Sequence, residues 1–199
     1  MNEPRPAPRS LLPALAAALL SSLCLWGAPA QAFGIDDLMG SLARTASAQA
    51  RFVETRHFAV VDRALVSSGE LRFTAPDRLE KRTLAPEREI LLLEGGRIRI
   101  ERPGHRARVF EVRDRPEMAA LVESVRGTLA GDREALERHY EVALEGESDA
   151  WRLALAPRDP AVRKVLERVR IEGRQALVRL ISFELAGGDR TEMRIEPLP

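Results

Sequence analysis

The side chains that most often do chemistry are thinly spread along this sequence. There are three histidines, His57, His105 and His139. None is joined at four-residue spacing by another histidine or a glutamate with a third ligand, so no zinc-type motif is present. No Gly-x-Ser-x-Gly elbow and no glycine-rich phosphate loop occurs. Ser67-Ser68-Gly69 lacks a placed base and reads as a turn. Acidic residues are plentiful, but they alternate with arginines, a pattern of cross-strand pairs on a wet sheet face rather than of a general acid and base. The one cysteine, Cys24, lies near the N-terminus, so disulfides, thiolate metal sites and cysteine nucleophiles are not expected in the folded part. The residues point away from an enzyme and call for no cofactor and no metal. Met39, Met118 and Met193 suit either ordinary core or a surface that accepts varied apolar ligands.

The elements that hold these residues begin after residue 32. Residues 1–32 carry Arg5 and Arg9, an apolar run from Leu11 to about Gly27, and Ala30-x-Ala32, which fits signal-peptidase cleavage before Phe33. The apolar run is short for a transmembrane span. Leu23 precedes Cys24, which does not suit a lipid-acceptor cysteine. The expected product is a single periplasmic domain over residues 33–199, large enough to bury about 70% of its extended-chain surface. Taking Arg5, Arg9 and Glu3 from the 31 basic and 30 acidic residues leaves 29 of each. That balance gives no reason to expect a nucleic-acid partner.

Ile35, Leu38, Met39 and Leu42 recur at helical spacing behind Asp36 and Asp37, predicting a helix to about Gln49. From Arg51 the period becomes two. Strands are expected around Phe52 to Val60, Leu71 to Phe73, Arg78 to Leu84, Glu89 to Leu93, Ile98 to Ile100 and Arg106 to Val112. Gly95-Gly96 reads as a tight hairpin. Met118, Leu121, Val122, Val125 and Leu129 then mark a second helix between Pro116 and Gly131, with a short helical piece through Arg138. Strands return at Tyr140, Trp151, Glu167, Ala176 and Thr191. Alternating faces and short connections indicate an antiparallel sheet. One face is rich in Arg and Glu, and the other is apolar and must be covered. Two helices cover such a sheet only if it bends round them. The predicted fold is mainly β (α+β): an unclosed, strongly curved antiparallel barrel of about 10–11 strands around a helical lid.

Several stretches, in order, resemble the periplasmic outer-membrane lipoprotein carrier family, LolA. They are Ala50-Arg51-Phe52-Val53-Glu54 after the first helix, Ser68-Gly69-Glu70-Leu71-Arg72-Phe73 before Pro76, and Glu89-Ile90-Leu91-Leu92-Leu93-Glu94-Gly95-Gly96-Arg97-Ile98. The helix from Pro116 to Leu129, Tyr140-x-Val142 and Leu153-x-Leu155-x-Pro157 follow in the family's order. The resemblance implies an apolar cavity between sheet and lid. It also implies a carrier that moves lipoprotein acyl chains from an inner-membrane exporter to an outer-membrane acceptor, and a monomer. Typical members place a lid-latching arginine where this chain has Ala75, and their extra C-terminal strand has no counterpart here. The chain therefore resembles a LolA-related branch, whose cargo is a lipoprotein or another lipid.

The expected cavity residues are Phe52, Leu71, Phe73, Ile90, Leu92, Ile98, Ile100, Phe110, Trp151, Leu153 and Phe183. The expected lid residues are Leu38, Met39, Leu42, Met118, Leu121, Val122 and Val125. The alternative reading is a regulatory or scaffold protein on the same fold, sensing lipoproteins or binding a partner peptide along a free sheet edge.

Overall fold

The computed structural model describes residues 33–198; the expected signal segment lies outside the described residues. Eleven antiparallel strands form one curled, unclosed sheet, accompanied by four helices. Helix α1 (Ile35–Leu42) leads into β1 (Ser47–Phe58), β2 (Val61–Thr74), β3 (Arg78–Ala85), β4 (Glu89–Glu94), β5 (Arg97–Glu101) and β6 (Arg108–Glu111). A 3-10 turn (Val112–Asp114), α2 (Pro116–Ala130) and α3 (Arg133–His139) follow. The chain then returns through β7 (Tyr140–Glu147), β8 (Ala150–Pro157), α4 (Pro160–Arg163), β9 (Leu166–Arg174), β10 (Leu177–Leu185) and β11 (Arg190–Pro197).

The spatial order is β6-β5-β4-β3-β2-β1-β11-β10-β9-β8-β7. Two meanders are thus joined where the first strand pairs with the last, with Phe52 opposite Ile195. The sheet's two edges, β6 and β7, are linked in sequence by α2 and α3, which carry the chain from one edge to the other.

The first helix ends earlier than its spacing predicted. After Leu42 the chain offers Ala43-Arg44-Thr45-Ala46-Ser47, with no further large apolar residue for a buried stripe. Strand β1 instead starts at Ser47, and Ala50 pairs with both Leu71 and Pro197. Ser67-Ser68-Gly69 is not a turn but the middle of β2. Gly69 serves close approach there, because a Cβ would overlap the Arg82 carbonyl and press on the Phe52 ring. A register shift between Ser68 and Gly69 accommodates the crossing to β3. The β1–β2 turn falls later, and Val60 sits in it 93% exposed rather than in a strand. Strand β6 is also shorter than expected, with Val112 beginning the 3-10 turn.

The Gly95-Gly96 hairpin forms as expected. Both glycines have positive φ, 57° and 74°, which a tight two-residue turn requires. Its register places Leu93 opposite Ile98 and Leu91 opposite Ile100.

Candidate functional site

The sheet's concave face is covered unevenly. Over β7 to β10, Tyr140, Leu153, Leu155, Val169 and Ile171 are fully buried beneath Leu38, Met39 and Leu42 of α1, Ala120 of α2 and Leu136 of α3. The amphipathic spacing read in α1 makes this possible, since one face carries all three of its buried residues. Trp151 closes one end of this core and donates from its indole Nε1 to the Gln175 carbonyl at 2.8 Å. Gly173 lies opposite Trp151, and a side chain there would collide with the indole. This half holds most of the fully buried side chains, with Val142, Leu144, Phe183 and Ile195 half-buried at its borders.

Over β3 to β6 the cover is thinner. Leu93, Ile98 and Val112 form a small buried cluster. Leu79, Leu91 and Ile100 from the sheet, and Met118, Ala119 and Val122 from α2, pack against it while staying only half-buried. Register places Phe110 beside Ile98 on the same face, also half-buried, and Leu71 is half-buried on β2. Helix α2 therefore has two apolar flanks. Leu121, Val125 and Leu129 pack toward the more buried half, and Met118 and Val122 toward the thin one.

Between the two halves lies a polar seam. Glu54 is buried on the concave side of β1 and accepts from Lys81 Nζ at 2.5 Å and Arg56 Nη2 at 3.2 Å. The Lys81 ammonium also stands 4.9 Å from the centre of the Phe52 ring. A carboxylate held by two cations in this position is satisfied, and truncating its partners would leave a buried charge. The only tyrosine, Tyr140, donates from its hydroxyl to the Ala120 carbonyl of α2 at 2.5 Å. Burial pushes that phenol well above the ordinary tyrosine range, because the phenolate would lose its water. Ala75, where the family's latch arginine would stand, is exposed and gives only a backbone N–H to the Ala46 carbonyl.

Most of the expected residues fall on the concave side, but they divide between the two halves. Trp151, Leu153, Phe183, Leu38, Met39 and Leu42 belong to the larger core. Ile98, Ile100, Met118 and Val122 belong to the thin half. Phe52 and Phe73 are buried in the middle strands. Ile90 and Leu92 are a correction. Ile90 pairs with Arg82 and Glu101, and Leu92 with Glu80 and Arg99, so both lie on the outer, charged face. Leu91 and Leu93 take their place inside. The unbroken run Ile90-Leu91-Leu92-Leu93 carries no alternation to decide its face. A signal was nevertheless present: a two-residue turn at Gly95-Gly96 puts Leu93 opposite Ile98, so an inward Ile98 requires an inward Leu93. Leu79 was missed because β3 carries no apolar alternation, the residues that share its face being Lys81 and Thr83.

The outer face is wet, as its composition suggested. Arg97 donates to Glu111 and Arg152 to Glu172, at 2.7 and 2.8 Å. A trough of about 840 Å³ over β7 to β9 has a floor of Ala143, Ala154 and Ala156 and a rim of Arg and Glu. Within it Arg152 pairs with Glu145 and Glu172, and Arg170 reaches out to Glu184 beside it. Among the described residues no helix is long and apolar enough to cross a membrane.

Comparison with solved structures finds distant likenesses. A LolA superfamily protein from Nitrosomonas europaea is 11% identical, with 81% of this chain and 89% of that chain covered and a TM-score of 0.43. A DUF1329 family protein from Desulfovibrio piger is 12% identical over 81% and 88% of the two chains, with a TM-score of 0.45. In the MucA/MucB complex of Pseudomonas aeruginosa the matched chain is 16% identical, with 83% of this chain and 56% of that chain covered and a TM-score of 0.43. No curated protein sequence matches the chain. The sequence model described as outer membrane lipoprotein carrier protein LolA-like matches residues 27–194, nearly the whole of the folded part, and the chain belongs to that LolA-like family.

Proposed function

We propose that this protein is a periplasmic carrier that shields the acyl chains of a lipoprotein or another lipid and moves them between the inner and outer membranes. The observation that carries this reading is the uneven cover of the concave face. Apolar side chains on β3 to β6 stay half-buried beneath one flank of α2 around a buried cluster of only three residues, whereas fifteen buried residues pack together over the other half. An acyl chain in water costs about 0.8 kcal/mol per exposed methylene, so even a modest apolar trough repays occupancy. Swinging α2 outward would widen the trough. Its flank there is Met118, Ala119 and Val122, of which the flexible Met118 adapts most easily to varied chains.

In this reading Leu71, Leu79, Leu91, Ile100 and Phe110 form the floor, and Met118 and Val122 the lid. Family membership supports a binding and sorting role rather than catalysis. The test is native mass spectrometry of protein purified from periplasm, together with acyl-probe binding. Bound lipid is expected. Val122→Glu is expected to weaken probe binding by tenfold or more, on the order of the cost of setting a carboxylate against an acyl chain. Protein that is always empty and takes up no probe would end this reading.

A further inference from the structure

The loop from β5 to β6 gathers cations at the border of the thin half. A concavity of about 300 Å³ is lined by Ile100, Arg102, His105, Arg106 and Arg108, with no carboxylate in its wall. The loop folds back on itself, with His105 N–H donating to the Arg102 carbonyl at 3.1 Å and Gly104 at φ 76°. Arg102 is engaged, donating from Nε to Glu89 at 2.6 Å. Arg106 and Arg108 have no carboxylate within ion-pair distance among the described residues. What sets these two apart is that they face one hollow whose wall carries no acidic side chain to offset them.

The position of this cluster gives it meaning. Arg108 is the register partner of Ile100, so both stand on the concave side. Ile100 in turn packs against the Leu93–Ile98–Val112 cluster. The same isoleucine thus borders the apolar floor and the cationic hollow. The Arg108 and Arg115 guanidiniums lie 5.8 and 5.4 Å from the centre of the Phe110 ring, which sets further positive charge at this rim. Several cations converging on one concavity focus a positive potential into it, and guanidinium forks match phosphate oxygens in pairs.

We propose that this hollow binds the phosphate-type headgroup of the carried lipid while its acyl chains lie on the adjoining apolar floor. The inference rests on the carrier reading and adds the class of cargo: an anionic, phosphate-bearing amphiphile rather than a neutral lipid.

The test uses the purified, delipidated protein and displacement of a fluorescent diacylglycerol. Dioleoyl phosphatidic acid and dioleoylglycerol share their chains and differ in the phosphate. Phosphatidic acid is expected to displace the probe about tenfold more tightly, the effect of one or two charge-assisted hydrogen bonds. In the double variant Arg106→Gln/Arg108→Gln, and more weakly in Arg106→Gln alone, that ratio should fall toward one, with the melting temperature unchanged because both side chains are exposed. Raising the salt concentration should shrink the ratio in the unaltered protein. Equal displacement by the two lipids would overturn the headgroup site and leave the carrier reading standing. A ratio that survives the double variant would also overturn it. Inorganic phosphate binding as tightly as phosphatidic acid would remove the lipid from the assignment. Failure of both lipids to displace the probe, or of the probe to bind, would remove the carrier reading and the headgroup site together.

Discussion

Tyr140 shows how one side chain ties a helix to the sheet. It starts β7, yet its hydroxyl reaches the Ala120 carbonyl in α2, and its ring lies wholly within the core. Tyr140→Phe removes that hydrogen bond and should cost about 1 kcal/mol, readable in urea unfolding. The phenol adds a pH dependence with a definite sign. Its folded-state pKa is raised above the ordinary value near 10. The contribution is therefore complete below that pH and lost as pH rises further, because the unfolded chain gives up the proton first. As this is the only tyrosine, phenolate absorbance reports it directly. Phenolate is expected to appear only together with alkaline unfolding. An ordinary titration in a protein that stays folded would contradict the burial described here.

At the scale of elements, the corner between α2 and α3 governs how α2 sits against its neighbours. Gly131 ends α2 in the left-handed region, at φ 63°, and its N–H meets the Thr128 carbonyl at 3.0 Å. A Cβ there would also run into the Met39 carbonyl and Ala43 at the end of α1. Gly131→Ala should destabilise by about 2 kcal/mol or more, combining backbone strain with the clash; a loss below a few tenths would show that α1 and α2 do not touch as described. The next residue, Asp132, caps α3 by accepting from Ala135 N–H at 2.9 Å. That bond, and secondarily the Arg126 guanidinium, holds its carboxyl below the usual carboxylate range. Asp132→Ala should cost about 1 kcal/mol at neutral pH. With a depressed pKa, the contribution is present above the ordinary value near 4 and fades as pH falls through the folded-state titration. The difference between the two proteins should therefore vanish in acid, and a constant difference would assign it to packing instead.

For the whole molecule, the unequal halves predict unequal stability. Strands β8 to β10 are buried under three helices, whereas β4 to β6 end in a four-residue edge strand beneath one flank of α2. Native-state amide exchange in β4 and β5 should be faster than in β8 to β10 by on the order of tenfold or more. Uniform protection would mean that the sheet opens only as a unit. It would also weaken the idea of a trough that widens while the rest holds.

Much of the architecture is legible in the sequence itself. The change of hydrophobic period locates the strands and helices, and the Arg/Glu alternation identifies a solvated face. Gly95-Gly96 marks a hairpin, and Pro116 and Gly131 bound a helix. What the sequence could not decide was which residues share a face wherever alternation fails, as in Ile90-Leu91-Leu92-Leu93, or where a glycine sits inside a strand, as at Gly69. Nor could it divide the concave side into a packed half and a thinly covered one. Periodicity records that a residue turns away from water. Whether a helix or open space then meets it depends on the crossing of α2 over the sheet, and only long-range packing determines that. The convergence of Arg102, Arg106 and Arg108 beside Ile100 is of the same kind, for it depends on a folded-back loop and on strand register.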